Sequence, residues 1–320
     1  MPPTVKGNPS MSSASRIAFA SHRDGNWEIY VMDANGRHQR RLTSRPEQDR
    51  FPLWSPDGSQ IAFGSQVGPS GWELWVMNAD GTNPRRLCSS ISAKGFRSWS
   101  PDGTLIALAV SIDGDLDIYS VRADGRALTR LTTSAGDDRD PSWSPDGKKL
   151  VFSSMRDGNS EIYMMNADGS VVTRLTNDAA ADESPTWSPD GSTIAFVSTR
   201  NGARDLYLVR ANSGDIERVT VGAGVTRDMS HWSPDGTRIA LQVARDTNYD
   251  IDVVRVADKQ RLRLAATAAY DGMYTWSPDG TQLAFISARQ GPDAVYVVDA
   301  DGAHPRRMTT TSSLNPAWSR

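Results

Sequence analysis

Trp143-Ser144-Pro145-Asp146-Gly147 decides the fold, because the same five residue types return along the whole chain. They stand again at Trp54–Gly58, Trp99–Gly103, Trp187–Gly191, Trp232–Gly236 and Trp276–Gly280, and a seventh copy, Trp318-Ser319, is cut off by Arg320. The first six tryptophans are separated by 45, 44, 44, 45 and 44 residues. A regular period of this length marks a repeat architecture.

Outward from this string, each period repeats its other parts. An apolar run follows the turn: Ile17–Phe19, Ile61–Phe63, Leu105–Leu108, Leu150–Phe152, Ile194–Phe196, Ile239–Leu241 and Leu283–Phe285. A second run follows, as in Glu28–Met32 and Glu161–Met165, and then a basic-aliphatic-polar step such as Arg41-Leu42-Thr43 or Arg174-Leu175-Thr176. In Ser-Pro-Asp-Gly, proline presets the φ of a type I turn and glycine supplies the φ > 0 that follows it. Asp33-Ala34-Asn35-Gly36 and Asn166-Ala167-Asp168-Gly169 make a similar turn between the third and fourth strands, and Asp24-Gly25 and Asp157-Gly158 suit a primed turn between the second and third. Each repeat therefore reads as a four-stranded antiparallel meander.

Such units, set around an axis, make a propeller. The fold class predicted is all-β: a seven-bladed β-propeller of four-stranded antiparallel blades, one domain over residues 16–320, after a disordered lead-in at 1–15. The chain enters at the second strand of a repeat, Arg16–Phe19, and ends on the first, Asn315–Ser319. The C-terminal strand is thus expected to join the first blade and close the ring, pairing edges that would otherwise stay open. The repeated tryptophan is the natural wedge between blades.

Bulk properties narrow the function. Of 320 residues 35 are basic and 38 acidic, without clustering, so no nucleic-acid surface is expected. One cysteine allows no internal disulfide, and no apolar stretch is long enough for a membrane span. Residues 1–15 lack the apolar core of a signal peptide. A closed ring needs no partner for stability, and a monomer is expected.

The pattern Pro-x-Trp-Ser-Pro-Asp-Gly, then Ile-Ala-Phe-x-Ser, then Arg-Asp-Gly-Asn-x-Glu-Ile-Tyr, then Arg-Leu-Thr resembles the TolB-like (WD-like, PD-type) propeller repeat, most closely through Ser21–Met32 and Pro141–Thr176. The resemblance spans about residues 16–320. TolB-type proteins are periplasmic partner-binding proteins of the cell envelope, and similar repeats occur in propellers of prolyl-oligopeptidase-like peptidases and oligogalacturonate lyase-like enzymes. The resemblance implies a periplasmic or secreted protein; the lack of a signal peptide in the chain keeps a cytoplasmic one as the alternative. TolB proper resembles six blades with a separate α/β domain, whereas seven repeats and no such domain are read here.

No G-x-S-x-G nucleophile elbow and no H-E-x-x-H zinc motif is present. The Asp-x-Asp-Gly fragments lack the spacing of a calcium loop and read as turns, so no cofactor is expected, with calcium in the central channel the minor alternative. Function is sought where the seven copies differ, in the loops that enter the first strand and those between the second and third. These bring Phe51, Phe96, Arg97, Asp140, Arg227, Met229, His231, Met273 and Tyr274 toward one mouth of the channel, with Tyr249 on its rim and Trp72, in the long loop Gln66–Trp72, either on the rim or packed under its own loop. Arginine, aromatic and methionine side chains suit recognition of a protein, a peptide or a small polar ligand. The expected function is a non-catalytic scaffold binding such a partner at the mouth. The alternative is a lyase or hydrolase acting on a polar or sugar-like substrate there, with Arg97, His231, Tyr274 and nearby carboxylates together supplying acid, base and charge clamp.

Overall fold

A computed structural model describes residues 15–69, 71–91, 98–111, 114–226, 230–245, 248–265 and 267–319. Among them 28 strands form seven four-stranded antiparallel blades arranged in a ring. Blade 1 combines residues 16–41 with the C-terminal strand Ser313–Trp318. Blades 2 to 7 take residues 48–91, 98–130, 138–174, 182–218, 231–265 and 271–307. Strands run from the axis outward in chain order, except that Ser313–Trp318 is the innermost strand of blade 1. It pairs antiparallel with Arg16–Ser21, through Ile17↔Trp318 and Ala18↔Ala317, so the ring closes as the truncated seventh repeat implies.

The second and third strands are predominantly apolar and buried, because both faces of each blade are covered. Alternate residues serve opposite neighbours. In blade 1, Ile17, Phe19, Tyr30 and Met32 pack on blade 7, while Ala18, Ala20, Ile29 and Val31 pack on Ile61, Phe63 and Met77 of blade 2. The same division recurs at every interface and gives seven apolar clusters for seven blade contacts. Burial of this kind, at about 25 cal/mol per Å² of apolar surface, is the main force holding blades together.

The repeated tryptophans add a directional bond to the wedge. The Trp54 indole N–H donates to the Ala317 carbonyl at 3.1 Å, Trp99 to Leu53, Trp143 to Ser98, Trp232 to Thr186, and Trp276 to His231 at 2.9 Å. Each bond crosses to the innermost strand of the preceding blade. Between neighbours, the Ser-Pro-Asp-Gly turns also stack. A Cβ on Gly103 would lie 3.7 Å from Pro56, and one on Gly147 would lie 3.5 Å from Pro101.

The polar consensus residues have equally local reasons. Ser55 donates to Asp57 at 2.6 Å, and the Gly58 N–H closes the turn on the Ser55 carbonyl at 2.9 Å. The Ser55 hydroxyl, and next the Ser59 N–H, hold the Asp57 carboxyl below its ordinary range. In blade 4 the fully buried Glu161 accepts from Arg174 at 3.0 Å and from Thr176 at 2.5 Å, and Thr176 in turn accepts from the Ile162 N–H. The Arg-Leu-Thr step is therefore the partner of a buried carboxylate. A second buried set uses the Asp138, Asp182 and Asp271 carboxylates, which pair with Arg156, Arg200 and Arg289, and each arginine lies over a Phe–Tyr pair of its own blade.

One turn differs from expectation. At Gly25 and Gly158 the N–H bonds back three residues, to His22 and Met155, and the two residues between keep negative φ. This is a type I turn followed by a left-handed glycine, not a primed turn.

Candidate functional site

The innermost strands of the blades surround the axis, and each described six- or seven-residue copy carries an irregularity at the same place. Pairing with the second strand shifts between Arg50 and Leu53, Arg139 and Ser142, Glu183 and Thr186, and Gly272 and Thr275. A residue three places before the tryptophan causes it by adopting positive φ: Phe51 at 58°, Asp140 at 55°, Ser184 at 55°, Met273 at 49° and Asn315 at 52°. Left-handed backbone is uncommon for a side chain larger than glycine, and a bulge re-aims the side chain it carries. Proline follows in four of the five cases and tyrosine in the fifth, Tyr274.

These residues form part of a ring. Asn315 donates to the Met273 sulfur at 3.3 Å, linking blades 1 and 7. The Asp140 carboxylate of blade 4 accepts from the Ser184 backbone N–H of blade 5, and Ser153 donates to it at 3.4 Å. Burial pushes the Asp140 carboxyl up to about 6; Arg139 opposes this and the nearby Glu183 adds to it. Glu183 itself pairs with Arg204 at 3.5 Å. One side of the ring is thus charged and the other, at Phe51 and Met273, apolar.

His231 stands one place before Trp232. Its ring is open to solvent, yet burial pushes the imidazole down to about 4. Both observations fit a side chain on the wall of a narrow channel, where water reaches it while surrounding protein keeps the dielectric low. The imidazole meets the Tyr274 ring edge-on at 5.2 Å between centroids. Tyr274 is buried in the contact between blades 6 and 7.

The remaining sequence candidates are spread over the fold. Trp72 is buried in the core between blades 2 and 3, where it meets the Phe51 ring at 5.4 Å; it is packed beneath the rim and not displayed on it. Tyr249 is exposed and stacks edge-on with Tyr270 at 5.9 Å. Phe96, Arg97, Arg227 and Met229 lie outside the described residues. Sequence reasoning passed over Ser184 and Asn315 as site members, although both were already visible as the aligned equivalents of Phe51 and Asp140. Among the described residues no group of three or more His, Cys, Asp or Glu side chains is placed to hold a metal ion.

Comparison with known proteins agrees with the propeller fold. The profile of the TolB beta propeller domain matches residues 3–95, 91–175, 140–231 and 228–320. The Tol-Pal system protein TolB of Desulfosudis oleivorans is 38% identical over 61 residues, 19% of this chain and 14% of that protein. The chain thus matches only a small part of that relative's length. Among solved structures, TolB from Acinetobacter baumannii superposes with a TM-score of 0.62 at 19% identity, over 97% of this chain and 67% of that one. Oligogalacturonate lyase from Vibrio parahaemolyticus gives 0.71 at 17% identity, over 88% and 85%. A puromycin-hydrolysing peptidase of Mycobacterium tuberculosis gives 0.65 at 16% identity, over 91% and 53%. At these identities the structural likeness speaks for the fold alone, while the profile spans nearly the whole sequence: the chain belongs to the TolB β-propeller domain family.

Proposed function

We propose that this propeller is a non-catalytic binding scaffold that takes a peptide segment of a protein partner, or a small polar ligand, at the channel mouth. The observation that carries the reading is the ring of left-handed bulge residues. Five described blades spend backbone strain to aim a side chain at the same level of the axis, yet the side chain differs from blade to blade. Invariant geometry with variable chemistry is how a rigid scaffold presents a recognition surface. The likeness to proteins named for the Tol-Pal system supports a protein partner.

The His231–Tyr274 contact is the observation that favours an enzyme. An imidazole held at about 4 is neutral at pH 7 but a weak proton acceptor, which suits a hydrogen-bonding role better than that of a general base.

The test is a thermal-shift series with short peptides and uronates on the wild type and on D140N and M273A. A ligand at 100 times its dissociation constant stabilises the fold by about 2.7 kcal/mol. The reading expects a shift that both substitutions diminish. A shift unchanged in both would place binding elsewhere.

A further inference from the structure

On the opposite face, that of the Ser-Pro-Asp-Gly turns, a cleft of about 390 Å³ opens between blades 5 and 6. Leu208, Ile216, Trp232 and Val256 line it, and Asp190, Asp215, Glu217 and Asp235 bring four carboxylates to it, against the guanidinium of Arg210 and the ammonium of Lys259 that pairs with Glu217. Local departures from the repeat account for the opening. In blades 1, 2, 3, 4 and 7 a glycine turn closes on the residue three places back. In blade 5 the Gly214 N–H reaches four places back, to the Arg210 carbonyl, and a Cβ there would meet nothing within 4 Å. In blade 6 Lys259 replaces the glycine, also bonds four places back, and pairs with Glu217 across the cleft at 2.5 Å.

The repeat itself shows what is missing. Of the seven repeated tryptophans, six are buried and Trp232 alone is half-buried. At two blade contacts an arginine, the first residue of the second strand in the preceding blade, covers this ring. Arg16 lies over Trp54 at 4.8 Å, and Arg238 lies over Trp276 at 5.0 Å. Arg238 also donates to the Gly280 carbonyl at 2.8 Å, at the end of that same turn. The residues at this position are Arg16, Gln60, Leu105, Lys149, Thr193, Arg238 and Gln282. Thr193 is the shortest of them, and it is the one that faces Trp232 in the cleft.

We propose that this cleft receives the guanidinium of an arginine side chain carried by a peptide partner. The group stacks on Trp232, as Arg238 does on Trp276, donates to the Gly236 carbonyl, as Arg238 does to Gly280, and is balanced by the surrounding carboxylates. A planar guanidinium satisfies the aromatic face and the oxygen acceptors together. This site lies apart from the channel mouth and does not depend on the reading given to it.

The probe is the capped tripeptide Gly-Arg-Gly, compared with its citrulline counterpart, which keeps the shape and loses the charge. Titrations follow the Trp232 indole N–H resonance of the full chain, assigned with W232F, and calorimetry gives the affinity. The arginine peptide is expected to shift that resonance and to bind at least tenfold more tightly than the citrulline peptide. T193R supplies the arginine internally, a residue that blades 1 and 6 already accommodate at this place. It should weaken peptide binding at least tenfold, while T193S leaves it unchanged. An unmoved Trp232 resonance, equal binding of the two peptides, or T193R binding as well as the wild type would each overturn the assignment.

Discussion

At the scale of single residues, the informative positions combine a chemical choice with a backbone constraint. Asp140 is the clearest. Left-handed backbone costs on the order of 1 kcal/mol or more for most side chains and least for Asp and Asn. D140N therefore keeps the geometry and removes only the charge. The carboxyl is raised from 3.8 to about 6 in the fold, so it favours the folded state below pH 3.8 and loses that contribution as pH rises through about 6. Thermal melts from pH 4 to 7 should then show D140N gaining on the wild type across the window; a constant difference would mean that Asp140 titrates normally. His231 acts in the opposite sense, because its imidazole is lowered to about 4: its contribution is complete above pH 6.5 and is lost on acidification. Comparing the two proteins at each pH cancels that background. Asp140 was legible as a candidate because it varies where the copies align, but its left-handed φ was not, since nothing local in Asp-Arg-Asp-Pro demands it. The inner strand bends there to keep pairing with its neighbour while curving round the axis.

At the scale of the strand, register decides which reading of a side chain holds. The long loop Gln66–Trp72 leaves two places for Trp72, on the rim or packed under its own loop. In the fold it pairs opposite Gln66 at the start of the third strand, and the pleat turns its ring inward onto Phe51. The sequence shows the insertion and not the side of the pleat, because a one-residue slip exchanges the faces. Closure, by contrast, was fully legible, since a repeat begun at Arg16 and ended at Trp318 leaves one blade to be shared. It makes a direct prediction. Ala18 and Ala317 face each other across the closing pair, at a separation that antiparallel strands share with disulfides. A18C/A317C should form a disulfide under oxidation and stabilise the protein by about 2–5 kcal/mol relative to its reduced form. The natural Cys88 is buried in the outermost strand of the neighbouring blade 2 and should remain free. Failure to form the bond, or equal melting of oxidised and reduced protein, would contradict this closure.

At the scale of the whole molecule, the ring separates two kinds of surface. The Ser-Pro-Asp-Gly face is nearly uniform because its turns stack on one another, and it is interrupted where blades 5 and 6 depart from the pattern. The mouth face carries the variation, on strands that the seven apolar clusters hold rigid. The central claim is that a ligand enters at that mouth. Hydrogen–deuterium exchange of the full chain, with and without the peptide or uronate that stabilises it most, tests this directly. The account predicts protection in residues 44–51, 133–140, 177–184 and 267–273, which lead into the ring, and none in the outermost strands. Protection confined to the outer strands, with those four segments exchanging as before, would contradict it.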